Sequence, residues 1–347
     1  MFIKRNKYPA SKSIIKSYGK LLSKVLISEK FINSNSIKNF EKNFSHAHKT
    51  RRLSVAFSSA STAISSCIDC ILKKKINYEI IIPAYSPIPV LMSIVNFGYK
   101  VKFVDIDPKT FLIDLEKLSK AINKNTKIIM PVHLFGNVVD VKKIKQITKK
   151  KKIFILEDTS QAHFSKINNN FAGLEGDAAA FSFYPTKNLW ALGDAGALIL
   201  KNKKIATSLK SYRNYGLHPF KNKFLNFGNN FRMDELQASI LNLNLKLINK
   251  ININKNKNAV VYKKLLKGLP LKFQKINSNI SSNFHVFAII VDEKIRDRLF
   301  NFLISNNIEA IKYYENILPQ IYFKKISNNK IIKKFPNSYR ISKSIIC

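Results

Sequence analysis

The chain has 347 residues, of which 46% are hydrophobic, so it is long enough to bury a large core. Its formal net charge is +39, but the lysines are scattered through every segment and no zinc-finger spacing or RNA-binding signature is present, which argues against nucleic-acid binding. No apolar stretch approaches membrane-spanning length, and the basic N-terminus lacks the apolar core of a signal peptide, so we expect a cytoplasmic protein and no membrane association.

Two helices are predicted first, at 13–27 and 36–44. Apolar strands then alternate with helices, which is typical of a mostly parallel sheet covered on both faces. The strands are predicted at 53–57, 79–83, 101–105, 127–134 and 153–158. The helices are predicted at 62–72, at 115–122 and at 141–149, and a further helix is predicted between the strand 79–83 and residue 97. Ligands of such sheets lie beyond the carboxyl ends of the strands.

Three cysteines cannot form a disulfide framework. Cys67 and Cys70 lie three residues apart in an apolar helical segment, and no second cysteine or histidine pair follows at a zinc spacing. We interpret both as small helix residues and expect no metal site.

Two apolar runs, 178–183 and 196–200, flank a loop that carries Lys187. Short apolar runs bounded by turn residues are typical of buried strands. A lysine shielded from water loses its proton more easily and becomes a nucleophile toward carbonyl groups. A solvated lysine without a chemical role is the alternative.

Polar residues follow three of the predicted strands at the same edge of the sheet. The segment with Ala60 and Ser61 lies between a strand and a helix N-terminus, where free N–H groups suit a phosphate. Asp158 ends the strand 153–158, and Lys187 follows the strand 178–183. A phosphate cradle, a carboxylate and a lysine are the groups that pyridoxal phosphate requires. The alternative is a chance coincidence of three common residue types.

Several longer stretches of the sequence match those of a known protein family. Nearly the whole chain, from about residue 13 onward, resembles the DegT/DnrJ/EryC1/StrS family of pyridoxal-phosphate-dependent sugar aminotransferases. This resemblance implies an α/β fold of type I, with a seven-stranded, mostly parallel sheet between helices. The matching blocks are PAYSPIPVLMSI (83–94), VDIDPKTFLID (104–114), EDTSQAHF (157–164), FSFYPTKNLWALGDAGA (181–197), YRNYG (212–216) and GNNFRMDELQASIL (228–241).

The resemblance implies roles for residues of two blocks. Lys187 would form the Schiff base with pyridoxal 5'-phosphate and then act as the proton shuttle. Asp158 would pair with the pyridine nitrogen, and Gln161 would face the ring hydroxyl. Strand-end hydrogen bonding is the alternative role for Gln161.

The same resemblance implies how the cofactor phosphate is held. Ser182 would bind it together with the backbone N–H groups of Ala60 and Ser61. Asn230 would reach the phosphate from a partner subunit, which implies a homodimer with shared active sites. A strand-end role for Ser182 and a turn role for Asn230 are the alternatives.

Three features depart from the family pattern. Ala60-Ser61 replaces the usual Gly-Thr, and a positive φ at Ala60 would cost energy. Pro87 stands where relatives carry an aromatic residue that stacks on the cofactor, and Tyr85 is the nearby substitute. The chain ends at SKSIIC, where relatives continue, so the small domain is expected to be incomplete.

We divide the chain into a large cofactor-binding domain, 1–240, and a small C-terminal α/β domain, 241–347. One helix is predicted from Asp234 to about residue 250, because length and the absence of Gly and Pro outweigh the alternating leucines. An exposed Asn- and Lys-rich stretch is expected at 249–258, a strand at 285–291, a helix at 293–306 and further strand after Ile308.

The resemblance favours transamination of a keto group on a nucleotide-activated hexose, with glutamate as donor, for surface polysaccharide or amino-sugar synthesis. Tyr184-Pro185 and the turn Leu192-Gly193-Asp194 resemble members that act on 3-keto sugars, which indicates a dTDP-3-keto-6-deoxyhexose 3-aminotransferase. A 4-keto-sugar aminotransferase and a non-catalytic regulatory homologue are the alternatives. Dehydratases of this fold carry His at the lysine position, so Lys187 argues against that activity.

Overall fold

The computed structural model describes residues 12–219 and 221–347. Strands and helices alternate through the first 200 residues, as the sequence predicts. The strands are β1 (Leu53–Phe57), β2 (Glu79–Pro83), β3 (Lys100–Val104), β4 (Thr126–Ile129), β5 (Phe154–Asp158), β6 (Lys166–Ile167), β7 (Asn170–Phe171), β8 (Ala178–Ser182), β9 (Gly196–Leu200), β10 (Lys272–Phe273), β11 (Ile280–Ser281), β12 (Ile289–Ile290) and β13 (Ile345–Ile346).

Helices cover the main sheet and make up most of the C-terminal part. A 3-10 turn, Leu134–Gly136, follows β4. The helices are α1 (Lys12–Ser28), α2 (Asn35–Ala47), α3 (Ala60–Leu72), α4 (Ile88–Val95), α5 (Leu115–Ala121), α6 (Val141–Thr148), α7 (Lys203–Tyr212), α8 (Glu235–Asn244), α9 (Ile248–Leu265), α10 (Glu293–Ser305), α11 (Leu318–Tyr322), α12 (Asn328–Lys334) and α13 (Pro336–Ser344).

The main sheet has seven strands in the order β1-β9-β8-β5-β4-β2-β3. Only β9 runs antiparallel to its neighbours, so the carboxyl ends of the other six strands meet at one edge. The predicted α/β fold with a mostly parallel seven-stranded sheet is confirmed.

Both faces of the sheet are buried, and β9 illustrates how. Leu198 and Leu200 belong to the core that also contains residues of α3 and α4. Ala197 and Ile199 point the other way, into a second core with residues of α2 and α8. Because both faces exclude water, the strand reads as an uninterrupted apolar run.

Two boundaries in this half differ from the prediction. The helix predicted at 62–72 already begins at Ala60, because Ser59 and Thr62 form a reciprocal capping box with both N···O distances at 3.1 Å. The predicted strand 127–134 ends at Ile129. Pro131 follows and has no N–H to continue the ladder.

The single helix predicted from Asp234 to residue 250 is wrong, because the chain breaks between α8 and α9. Asn244 ends α8, and its buried side chain accepts from Tyr18 Oη at 2.7 Å and donates to Trp190 O at 2.9 Å. These contacts draw the chain inward, and Leu247 N closes a turn onto Asn244 O. The stretch 249–258, expected to be exposed, lies in α9 and is partly covered.

The C-terminal part contains less strand than predicted. The strand expected at 285–291 is limited to β12, which pairs with β10 and β13 in a small sheet. After Ile308 the chain forms α11, α12 and α13 before the short β13. Because β11 pairs with β6, chain from beyond residue 240 also completes a sheet of the first part. The division into domains at 240/241 stays a prediction.

A buried aromatic cluster beneath β8 contains two histidines. The His48 ring stacks on Phe164 at a centroid distance of 4.3 Å, and its Nδ1 lies 2.9 Å from Phe44 O. Burial lowers the pKa of His48 to about 4. Burial also lowers the pKa of His163 to about 3, with further contributions from the charge of Lys187 and from His48. Both rings are therefore neutral in the folded protein at neutral pH.

These histidines predict a loss of stability in mild acid. Below the ordinary histidine pKa of 6.5 the unfolded chain binds a proton on His48 that the folded chain does not bind until about pH 4. Stability therefore falls with falling pH through this window, by about 2 kcal/mol between pH 7 and pH 5 for His48 alone. Urea unfolding at both pH values should show that His48→Phe reduces this loss.

The matched control is His46→Gln, which changes an exposed histidine two positions before His48, in the last turn of α2. It should leave the pH dependence as in the unmodified protein. An equal loss of stability in His48→Phe and in the unmodified protein would contradict the assignment.

Candidate active site

Lys187 lies in the loop between β8 and β9, as predicted, and is half-buried. Short hydrogen bonds fix the loop at both ends. Lys187 N donates to Tyr184 O at 2.9 Å, Ala191 N donates to Phe183 O at 2.7 Å, and Phe183 N donates to Ala195 O at 2.8 Å. The lysine is therefore presented on a constrained turn.

Asn188 anchors this turn to the C-terminal part. Its buried Nδ2 donates to Asn252 Oδ1 at 2.8 Å and to Asn283 O at 3.0 Å. Asn252 Nδ2 and Asn283 Nδ2 both donate to His163 O at 3.1 Å. These asparagines could not be predicted from the sequence, because Asn is abundant throughout the chain and no local pattern distinguishes the three.

Asp158 ends β5 and is buried. Its backbone is held on both sides: Asp158 N donates to Pro131 O at 2.9 Å, and His133 N donates to Asp158 O at 3.0 Å. Asp158 Oδ1 accepts from Ser160 N at 3.0 Å. No group in the described ranges donates a hydrogen bond to Oδ2, so one carboxylate oxygen is left for a ligand.

The neighbouring Glu157 fixes the carboxyl end of β5. Burial would raise its pKa, but His133 Nε2, at 2.9 Å, and the N–H groups of Gly173 and Gly176 more than offset this, and the pKa is lowered. His133 Nδ1 accepts from Val139 N at 3.0 Å, so the proton lies on Nε2. This buried pair ties β5 to the loops on either side of it.

Gln161 is held by two hydrogen bonds rather than pointing freely into the site. Its Oε1 accepts from Phe135 N at 2.8 Å, and its Nε2 donates to Tyr314 Oη at 3.0 Å. Tyr314 N in turn donates to Tyr85 Oη at 3.1 Å, and Tyr85 Oη donates to Tyr313 O. Tyr314 could not be predicted from the sequence, because it lies 153 positions from Gln161.

This network corrects the expectation that Tyr85 substitutes for the missing stacking residue. Tyr85 is 1% exposed, so its ring offers no open face to a ligand. Pro87 is half-buried at the start of α4 and offers apolar contact.

The start of α3 forms a cradle of backbone N–H groups. Within the ranges that the structure covers, the N–H groups of Ala60 and Ser61 have no hydrogen-bond acceptor, since the caps of α3 serve Ser59 and Thr62. Ala60 has no positive φ, so it carries no strain relative to glycine. A Cβ at Gly196 would lie 2.3 Å from Ala60 N, so only glycine allows β9 to pass this close.

The sheet links the cradle to the other site residues. Ser182, half-buried at the end of β8, is the register partner of Gly196, which contacts Ala60. Asp158 is the register partner of Ala180 on the same β8. The cradle, Ser182, Asp158 and the Lys187 loop therefore lie at one edge of the sheet.

Asn230 lies at the surface, on a segment that passes close to the cradle. Its Oδ1 accepts from Arg232 Nε at 3.0 Å, and its backbone forms a bridge with Asn214. Phe231 O accepts from Ser58 N at 2.9 Å, so the segment passes beside the turn that precedes α3. Asn230 is thus exposed next to the cradle of its own chain.

No helix among residues 12–219 and 221–347 is long and apolar enough to cross a membrane. The same residues contain no group of three or more His, Cys, Asp or Glu side chains arranged to hold a metal ion.

The chain is 34% identical to the pleiotropic regulatory protein of Geobacillus stearothermophilus over 239 residues, 68% of this chain and 63% of that protein. It is 33% identical to the dTDP-3-amino-3,6-dideoxy-alpha-D-galactopyranose transaminase of Aneurinibacillus thermoaerophilus over 237 residues, 68% of this chain and 64% of that protein. The chain thus spans a little under two thirds of these curated relatives.

The fold is also similar to solved structures. The Bacillus subtilis protein ntda, whose crystal structure holds the bound cofactor pmp, superimposes with a TM-score of 0.85 at 25% identity, covering 97% of this chain and 77% of that chain. The profile of one family matches residues 12–347. The chain therefore belongs to the DegT/DnrJ/EryC1/StrS aminotransferase family.

Proposed function

We propose that the protein is a pyridoxal-phosphate-dependent aminotransferase that transfers an amino group from an amino acid, expected to be glutamate, to a keto group of a nucleotide-activated hexose. The observation that carries the proposal is the open Oδ2 of buried Asp158, at the sheet edge where the Lys187 loop and the α3 N-terminus also lie.

The residues present fit this cofactor. The open N–H groups of Ala60 and Ser61 suit its phosphate, because a helix N-terminus favours negative charge. Asp158 Oδ2 suits the pyridine nitrogen, and half-buried Ser182 can add a hydroxyl to the phosphate cradle. When bound, pyridoxal phosphate supplies an electron sink for the reacting amino-bearing carbon.

The protein groups then have separate tasks. Lys187 anchors the cofactor, and its amine takes up and returns the proton of the reacting carbon. The Asp158 carboxylate keeps the pyridine nitrogen protonated. Neutral His163 adds no second positive charge beside Lys187, because its pKa is lowered to about 3. Gln161, fixed by Phe135 and Tyr314, would line the ring as a positioned amide.

Within this class we favour amination of a dTDP-3-keto-6-deoxyhexose. The transaminase from Aneurinibacillus thermoaerophilus, whose name specifies a 3-amino-3,6-dideoxy sugar, supports this, as do Tyr184-Pro185 and the turn at Gly193-Asp194. Amination of a 4-keto sugar is the alternative within the class. A cytoplasmic location and a role in polysaccharide or amino-sugar synthesis stay predictions.

A regulatory homologue without catalysis is the second candidate. One relative is named a pleiotropic regulatory protein, and the aromatic residue expected at Pro87 is absent. The presence of Lys187, rather than the His of the dehydratases, favours transamination.

We further propose that the protein acts as a homodimer with shared sites. The segment around exposed Asn230 carries large apolar side chains that a partner would cover: Tyr215 is 50% exposed, Phe224 72% and Phe227 98%. Such a patch is typical of a protein interface. Asn230 would then meet the cofactor phosphate of the partner subunit.

Lys187 should carry the cofactor covalently. The purified protein with pyridoxal phosphate should show the visible absorbance of the lysine-bound cofactor, and borohydride should fix the label on the peptide that contains Lys187. Mass spectrometry of the digest makes the assignment. Lys187→Ala should lose both label and transamination. A label on a different lysine would contradict the assignment.

The substrate can be tested with glutamate and a panel of dTDP- and UDP-linked 3-keto and 4-keto hexoses. We expect mass spectrometry to show amination of a dTDP-3-keto-6-deoxyhexose. Faster amination of a 4-keto sugar would identify the protein as a 4-keto-sugar aminotransferase instead. No amination by unreduced protein that binds pyridoxal phosphate at Lys187 would favour the regulatory homologue.

Mixed dimers test the shared site. Lys187→Ala and Asn230→Asp should each be inactive, the second because its carboxylate repels the phosphate. In a mixed dimer with shared sites, one site receives both changes and the other neither, so subunit exchange should restore part of the activity. If exchange is demonstrated by differential tagging and no activity returns, Asn230 does not serve the partner's site.

A further inference from the structure

A cavity of about 420 Å³ lies at the edge of the sheet opposite to the candidate active site. It is formed by α2, the loop that follows, the start of β1 and the end of α7. Five permanent cations and one carboxylate line it. The lining residues are Lys38, Glu41, Lys42, Ser45, His46, Thr50, Arg51, Arg52, Leu53, Ser54 and Lys210.

The one carboxylate is already neutralised. Glu41 Oε2 lies 2.8 Å from Lys210 Nζ, and Glu41 Oε1 lies 2.6 Å from an Arg213 nitrogen. Glu41 Oε1 also accepts from Ala56 N at 3.0 Å. Its charge is therefore not available to balance the other cations of the cavity.

Three of the remaining cations are exposed and unbalanced. No carboxylate of the described ranges lies within ion-pair distance of Lys38, Lys42 or Arg51. Like charges gathered around a concave surface raise the local potential, because low-dielectric walls focus the field. The cavity therefore attracts an anion more strongly than the same lysines would on a convex surface.

The backbone adds an oriented donor. Ala56 N and Ala56 O bond to Glu41 and Arg213, so they point away from β9. Because strand residues alternate, Ser54 N–H, two positions earlier, also points outward and into the cavity. Ser54 pairs with Ile199 and Ala56 pairs with Ala197, so the two residues occupy the same kind of position in the antiparallel ladder, with N–H and C=O facing away from β9. The Thr50 hydroxyl lies at the same wall.

We propose that this cavity binds a small phosphate-bearing anion, at a site separate from that of the cofactor phosphate. A guanidinium, two ammonium groups and a backbone N–H are the donors that phosphates prefer. Residues 55–57 of β1 separate Ser54, on the wall of the cavity, from the turn that leads to the cradle at α3, a span of roughly 10 Å at 3.3 Å per residue. The two anion sites therefore lie at opposite ends of one strand.

The strand edge argues against an acidic peptide as the occupant. An added strand needs several outward backbone groups in a row. Those of Ala56 are occupied by Glu41 and Arg213, and Arg52 N donates to Thr50 Oγ1 at 3.2 Å. Ser54 alone remains, which suffices for one phosphate oxygen but not for strand pairing.

Inorganic pyrophosphate is a suitable probe for the holoenzyme. Calorimetric titration at constant ionic strength should detect a site that the triple variant Lys38→Ala, Lys42→Ala, Arg51→Ala weakens at least tenfold. The control variant Lys149→Ala, Lys150→Ala, Lys151→Ala removes the same charge near the same edge of the sheet. It should bind pyrophosphate as the unmodified protein does.

Equal binding by the cavity variant, or equal weakening in the control, would overturn the proposal. Hexaglutamate is titrated in parallel: binding as tight as that of pyrophosphate, and lost in the cavity variant, would identify an acidic-peptide site instead. All three side chains are exposed, so the fold should persist; if the triple variant does not fold, Arg51→Ala is compared with Lys151→Ala by the same titrations.

Discussion

The close packing of Gly196 against β1, β8 and the start of α3 is the constraint on which the candidate site depends. Gly196 is the register partner of Phe57 on β1 and of Ser182 on β8, and it also touches the first turn of α3. A side chain there would push the helix away from the strand. The absence of a single Cβ therefore sets the position of the N–H cradle relative to the strand that leads to Lys187.

Scarcity of acidic residues shapes the rest of the molecule. With 21 acidic against 60 basic side chains, the buried carboxylates are used as anchors between elements. Asp105, at the end of β3, accepts from Lys117 Nζ at 2.9 Å and from Ser338 N at 2.9 Å, and so joins α5 and α13 to the sheet. Asp69 likewise joins Tyr99 to Tyr212. Each of these anchors connects segments far apart in sequence.

The sequence predicted the main sheet well, because its strands are apolar runs bounded by turns; 53–57, 79–83 and 196–200 match in full. It predicted the break after Asn244 and the short strands of the C-terminal part poorly, since long-range side-chain contacts fix them. The motif residues of the site could be predicted, because they lie at or just after the ends of apolar strands in the sequence. Asn188 and Tyr314 were not, because their partners lie many tens of residues away.

The ion pair of Glu41 and Arg213 opposes aggregation of the protein at high concentration. Since β1 ends the sheet, its outward amide and carbonyl would otherwise form a template on which a foreign strand could add. Burial tends to raise the pKa of Glu41, but the charges of Arg213 and Lys210 outweigh it, so the pKa is lowered and the carboxylate persists in mild acid. The hydrogen bonds at Ala56 therefore continue to block an added strand at this edge of the sheet under conditions in which exposed carboxylates begin to protonate.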